Sequence, residues 1–144
     1  MASKRETVLV AVKALVAAAL PGADVKRNRS KAERIPPGGL VVIRDGDPGE
    51  PEVSLSPLTY LYSHRIPLEI AAYENATLTR EQVLEAMTGT IGAAVMANRT
   101  LGGLCDWIEA EAPVTDDIKA LGALPGRFAD LAILAVYATT DPLN

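Results

Sequence analysis

The stretch that decides the fold is Leu58-Thr59-Tyr60-Leu61-Tyr62-Ser63-His64-Arg65-Ile66-Pro67-Leu68-Glu69-Ile70-Ala71-Ala72-Tyr73. Read at period two, Leu58, Tyr60, Tyr62, His64, Ile66, Leu68, Ile70 and Ala72 share one face. Thr59, Ser63, Arg65, Glu69 and Tyr73 fall largely on the other, with Leu61, Pro67 and Ala71 blurring the alternation. Side chains of a strand alternate between the two faces of its sheet, so the pattern predicts one long, half-buried strand or a bulged pair. Pro67 has no N–H for a ladder, which places an edge or a bulge near it.

Working upstream, Leu40-Val41-Val42-Ile43-Arg44 is short, β-branched and bounded by turn residues, and reads as a strand. Between the two lies Asp45-Gly46-Asp47-Pro48-Gly49-Glu50-Pro51, a turn-rich and exposed loop. Before Leu40, Ile35-Pro36-Pro37-Gly38-Gly39 breaks the chain, and before that runs a basic stretch from Lys26 to Arg34. If extended, this stretch sets Arg27, Arg29 and Lys31 on one face. Near the N-terminus, Val8, Val12, Leu15, Val16 and Ala19 recur at helical spacing, and Pro21-Gly22 stops the helix. Lys4-Arg5 followed by Ala/Val/Leu loosely imitates a secretion signal, but Glu6 and Lys13 interrupt the apolar run, so a structural helix is the reading.

Downstream, Thr79-Arg80-Glu81-Gln82 has the form of a capping box opening a second helix, with Val83, Met87, Ile91, Ala94, Val95 and Asn98 along one face. Gly89 and Gly92 weaken that helix, and close packing on the sheet is the expected reason. Thr100 to Leu104 is a break or a turn, and Cys105-Asp106-Trp107-Ile108-Glu109 begins a strand. Ala129 to Thr139 carries apolar residues at both parities, which predicts a strand covered on both faces. The resulting order of α, three β, α and then β predicts a single α+β domain over residues 1–144, a mixed or antiparallel sheet packed with two main helices.

Composition sets the outer bounds. A chain of 144 residues, 49% hydrophobic and 22% charged, holds one domain with a core large enough to need no staple. Cys105 is the only cysteine, so no internal disulfide forms. No segment reaches the roughly 20 apolar residues of a membrane-spanning helix, and no membrane partner is expected. Net charge is -4, yet residues 1–44 hold nine Lys/Arg against three acids, and residues 45–144 hold five against fifteen. Such a split can steer head-to-tail association between copies, although chance surface placement produces the same count.

Chemistry is sparse. His64 is the only imidazole, which excludes a histidine-based metal cluster, and a Cys/His dyad would need Cys105 to meet it in space. Its parity puts His64 on the apolar face of its strand, where a hydrogen-bonded structural histidine is the default, and Cys105 reads as buried and inert. Neither Pro37-Gly38-Gly39-Leu40 nor Gly89-Thr90-Ile91-Gly92 fits a phosphate loop. The acids Asp116-Asp117 and Glu109/Glu111 read as solvated loop or edge positions. The basic stretch could contact phosphates, but no aromatic is interleaved and the rest of the chain is acidic. No catalytic residue, cofactor or metal is expected, and the chain reads as a non-enzyme.

Several phrases together carry a resemblance. They are the helix ending at Leu20-Pro21-Gly22, Ile35-Pro36-Pro37-Gly38-Gly39-Leu40-Val41-Val42-Ile43, and Arg65-Ile66-Pro67-Leu68-Glu69-Ile70. Beyond the capped helix come Thr100-Leu101-Gly102-Gly103-Leu104-Cys105-Asp106-Trp107-Ile108-Glu109 and the closing Ala135-Val136-Tyr137-Ala138-Thr139-Thr140-Asp141-Pro142-Leu143, the two most specific pieces. In this layout the whole chain resembles phage tail terminators, a class often carried in prophages. The resemblance implies an α+β virion subunit that forms a ring, commonly hexameric, at the head-proximal end of the tail. There the ring caps the tail tube, stops its polymerisation and offers a face for head–tail joining. Implied partners are further copies of the chain, the tail tube protein and a head–tail connector, with DNA passing through the ring unread in sequence. Assembly would take place in the bacterial host cytoplasm. From the residues themselves, Arg27, Arg29 and Lys31 are candidate pore or subunit contacts, and Asp45, Asp47, Glu50 and Glu52 on the Pro/Gly loop are their acidic counterparts. Another head–tail connector or neck protein shares the size and oligomeric habit, and a small nucleic-acid-binding module or a small enzyme are the remaining alternatives. Retention on duplex DNA that fades with salt would mark the first of these two, and a pocket collecting His64, Cys105 or several carboxylates the second.

Overall fold

The computed structural model describes residues 2–28, 35–118 and 126–144. Within them lie α1 (Lys4–Ala19), β1 (Asp24–Arg27), β2 (Leu40–Ile43), β3 (Glu52–Leu55), β4 (Leu58–Tyr73), α2 (Arg80–Ala97), β5 (Trp107–Ala110), β6 (Val114–Ile118) and β7 (Gly126–Thr139). This is an α+β fold with a mixed sheet.

The sheet is built on one antiparallel pair. β4 runs unbroken and pairs with β7 in constant register from Tyr60↔Thr139 to Tyr73↔Gly126. Each long strand carries two short strands in tandem on its free side: β3 and then β2 along β4, β6 and then β5 along β7. β1 adds to β2 in parallel and makes the sheet mixed. No bulge is needed at Pro67, which sits opposite Ala132 in the ladder. Its carbonyl accepts from the Arg44 N–H at 2.9 Å, on the side where β2 has just ended at Ile43. A strand residue directs N and C=O to the same side, so the missing N–H falls in the gap between β2 and β3, a local edge.

From Tyr62 onward the alternation of β4 is realised, with Tyr62, His64, Ile66, Leu68, Ile70 and Ala72 buried, whereas Tyr60 is half-buried and Leu58, expected on the same face, is exposed. Ala129, Leu131, Ile133, Ala135 and Tyr137 of β7 join them, and both helices pack on this face. α1 contributes Val8, Leu9, Val12 and Val16, and α2 contributes Leu84, Met87, Ile91 and Val95. Each such side chain, when fully buried, contributes roughly 1.5–3 kcal/mol. The helix ends are satisfied locally: Ser3 Oγ accepts from Glu6 N, and Thr79 and Gln82 form the expected reciprocal capping box.

The cover expected on both faces of β7 is met in part with helices on one face only, and two other expectations need correction. No described helix covers the opposite face of β7. Ala132 and Val136 are buried there with in-register neighbours Pro67 and Trp107, so a central strand can be apolar on both faces with one helical layer. Gly89 and Gly92 do not pack closely on the sheet, because a Cβ built on either meets nothing within 4 Å. Glu52 is not a loop residue but opens β3, a strand that, like β6, the sequence reading passed over.

Candidate functional site

His64 stands at the middle of β4 and is completely buried. Its Nε2 lies 2.6 Å from the Asp45 carbonyl oxygen, which can only accept, so Nε2 carries the proton. Nδ1 then accepts from the Tyr137 hydroxyl at 2.9 Å. Burial holds the His64 pKa below its usual value and pushes the Tyr137 hydroxyl up to about 12. Both ring nitrogens are committed to structural partners, and neither meets Cys105. That thiol is buried, with its pKa pushed up by desolvation to about 11, which suits a packed apolar group and not a nucleophile.

Asp45 links this network to the candidate basic residues. The Arg27 guanidinium donates to both carboxylate oxygens of Glu6 at 2.6 and 2.8 Å, and from Nε to Asp45 Oδ1 at 2.7 Å. Asn28, held at φ 54, donates to the same Asp45 oxygen and accepts from the Asp45 N–H. The Arg27 hydrogen bonds hold the Glu6 and Asp45 carboxyls below the usual carboxylate range and raise the guanidinium further. Arg27 and Asp45, candidate partners between copies, therefore meet within one chain and tie α1 and β1 to the loop after β2. Asp47 accepts from the Gly49 N–H, and its backbone bridges to Arg65. Glu50 and Glu52 are exposed at the foot of the β3–β4 hairpin. Arg29 and Lys31 lie outside the described residues.

Two surface features emerge that the sequence reading did not single out. First, the β3–β4 hairpin reaches two residue pairs past the end of β7: Leu55 at 80% and Leu58 at 45% exposure lie beyond the last paired residue Thr139, and Val53 at 51% stands level with it. Every residue from Glu52 to Leu58 is exposed, but Tyr60, opposite Val53, is half-buried against the core, so only the outer end of the ribbon stands free of the domain. Second, a groove of about 660 Å3 opens between α2 and the β5–β6 edge. Leu84, Ile91 and Leu131 lie along it, Gly89 and Gly92 leave the α2 backbone bare on one side, and Pro113 and Thr115 stand opposite. Glu81, Glu85 and Glu111 supply acids around it, with Arg127. The alternation Glu52-Val53-Ser54-Leu55 was the available signal for the hairpin, muted by the flanking Pro51 and Pro57.

Among the described residues no group of three or more His, Cys, Asp or Glu could hold a metal ion, and no helix is long and apolar enough to cross a membrane. No protein-family model and no curated protein matches the chain.

Proposed function

We propose that this chain is a structural subunit of a phage tail, a tail-terminator-like protein that forms a ring, commonly hexameric, on the end of the tail tube. The observation that carries the reading is the outer end of the β3–β4 hairpin, which runs past β7 with Leu55 and Leu58 held in solvent beside the exposed Val53. Exposed apolar side chains on a projecting element favour burial against another chain. The phrases that resemble tail terminators, closing at Thr139-Thr140-Asp141-Pro142, supply the identity of the assembly. In this role the ring caps the tube, stops its growth, faces the head–tail connector and lets DNA pass without reading it.

The reading is tested by removing the chain from the particle. Phage lacking it are expected to grow tails of abnormal, excessive length that fail to join heads. Tails of normal length without the chain would overturn the terminator role, and tails of normal length that fail only to join heads would point to a connector instead.

A further inference from the structure

At the N-terminal end of α1 several hydrogen-bond donors converge without an acceptor. Tyr62 is only 8% exposed, and its hydroxyl has no hydrogen-bond partner among the described residues. No fully enclosed side-chain nitrogen or oxygen there goes unpartnered, so this hydroxyl keeps an opening to the small pocket that Tyr62 lines. The pocket measures about 30 Å3 and also touches Ser3, Lys4, Arg5, Tyr137 and Thr139. The Tyr137 hydroxyl is already given to His64, which leaves Tyr62 as the buried donor.

The charges around it are of one sign. Lys4 and Arg5 take part in no ion pair among the described residues. Of the acids on neighbouring segments, Glu6 accepts from Arg27, Asp47 from the Gly49 N–H, and Asp141 from the Leu143 N–H and the Asn144 amide. The first backbone amides of α1 are also mostly committed. Lys4 N–H donates to the Asn144 main-chain oxygen at 2.6 Å, Glu6 N–H to Ser3 Oγ and Thr7 N–H to the Ser3 carbonyl. The Arg5 N–H has no acceptor among the described residues. The helix dipole adds partial positive charge at this end. Arg5 is felt inside the fold as well, where its charge opposes the burial-driven rise of the Tyr137 pKa.

We propose that this pocket binds one oxygen of a small free oxyanion of the phosphate type. The Tyr62 hydroxyl and the Arg5 N–H donate to the bound oxygen, and the rest of the ion stays at the mouth beside the Lys4 and Arg5 side chains. Size sets this mode of entry, because the space is about the share of a single water in the liquid and is too small for a whole tetrahedral ion. A water in the same place leaves two cations and the helix dipole uncompensated, whereas an anion answers all three. The site is independent of the ring reading and stands or falls without it.

The test is a titration of the full chain with inorganic phosphate, followed in two-dimensional amide NMR spectra at fixed pH and ionic strength, with chloride as the control. The Arg5 amide signal is expected to shift saturably with phosphate and to stay put with chloride. Tyr62→Phe removes only a hydroxyl without a partner, so its melting temperature in chloride should match or exceed that of the wild type. Its phosphate affinity should fall at least about tenfold, the scale of a hydrogen bond to a charged group. Arg5→Gln, at an exposed position, should weaken binding to a similar degree. An Arg5 shift that stays linear in phosphate, or an affinity that Tyr62→Phe leaves unchanged, would overturn the proposal. So would equal shifts at Lys13 and Lys26, which do not line the pocket, since phosphate would then only screen surface charge. A Tyr62→Phe chain that melts far lower in chloride would show that the hydroxyl holds the fold together instead, and that also overturns it.

Discussion

At the scale of single residues, His64 has one protonation state that satisfies its surroundings. With the proton on Nε2, the ring donates to the Asp45 carbonyl and accepts from Tyr137, and a second proton on Nδ1 would face that hydroxyl. Burial is the main cause of its lowered pKa, Arg5 adds to it, and Asp45 and Asp47 oppose it. A histidine whose folded pKa lies below its unfolded value near 6.5 contributes stability that is present above the unfolded value. That contribution is lost as pH falls from there toward the folded value. Melting temperature is thus expected to drop between about pH 7 and pH 5, and a His64→Phe variant, less stable overall, should show a flatter profile across that window. An equal slope in both would show that other groups dominate. Arg27 gives a second prediction. Arg27→Glu would set a third carboxylate beside Glu6 and Asp45, and a lower melting temperature is expected from repulsion within one chain. Charge reversal here therefore reads out the clasp before any contact between copies, and an unchanged melting curve would show that the clasp is immaterial.

At the scale of elements, the two halves of β4 do different work. Its inner half faces the helices, and Leu68→Ala is expected to cost about 2–5 kcal/mol in chemical denaturation, because the neighbouring helices cannot collapse fully into the space. Its outer end belongs to the hairpin, and Leu55→Ala should change the stability of the single chain by less than about 0.5 kcal/mol while weakening self-association. A large loss of monomer stability from Leu55→Ala would mean that the hairpin packs on its own domain. From Tyr62 to Ala72 β4 was legible in the sequence because its burial follows parity, His64 included, whereas Leu58 and Tyr60 share that parity but lie at the hairpin end, where no helix covers them fully. β3 was not, since four residues between Pro51 and Ser56-Pro57 look like loop. The groove was harder still: Gly89 and Gly92 suit a tight helix–sheet contact as well as an open one, and only the placement of β5 and β6 decides. Leu9 and Leu84, missing from the expected helical stripes, are buried because the sheet receives a wider face of each helix than a single stripe.

At the scale of the whole molecule, one face of the sheet is committed to two helices, while the outer end of a hairpin is exposed at one corner and a groove opens at the other. The opposite face carries the Arg44–Glu69 and Arg65–Glu111 ion pairs beside buried Leu40 and Val42, a mixed surface suited to contact that is not obligatory. Arg29 and Lys31 keep their status as candidate pore or subunit contacts on sequence grounds alone. The central claim is that copies of this chain close into a ring, and negative-stain electron microscopy of the purified protein across a concentration series tests it most directly. Closed rings of uniform size with a central hole are expected, increasing with concentration. Single globular particles at every concentration, or open filaments of variable length, would contradict it.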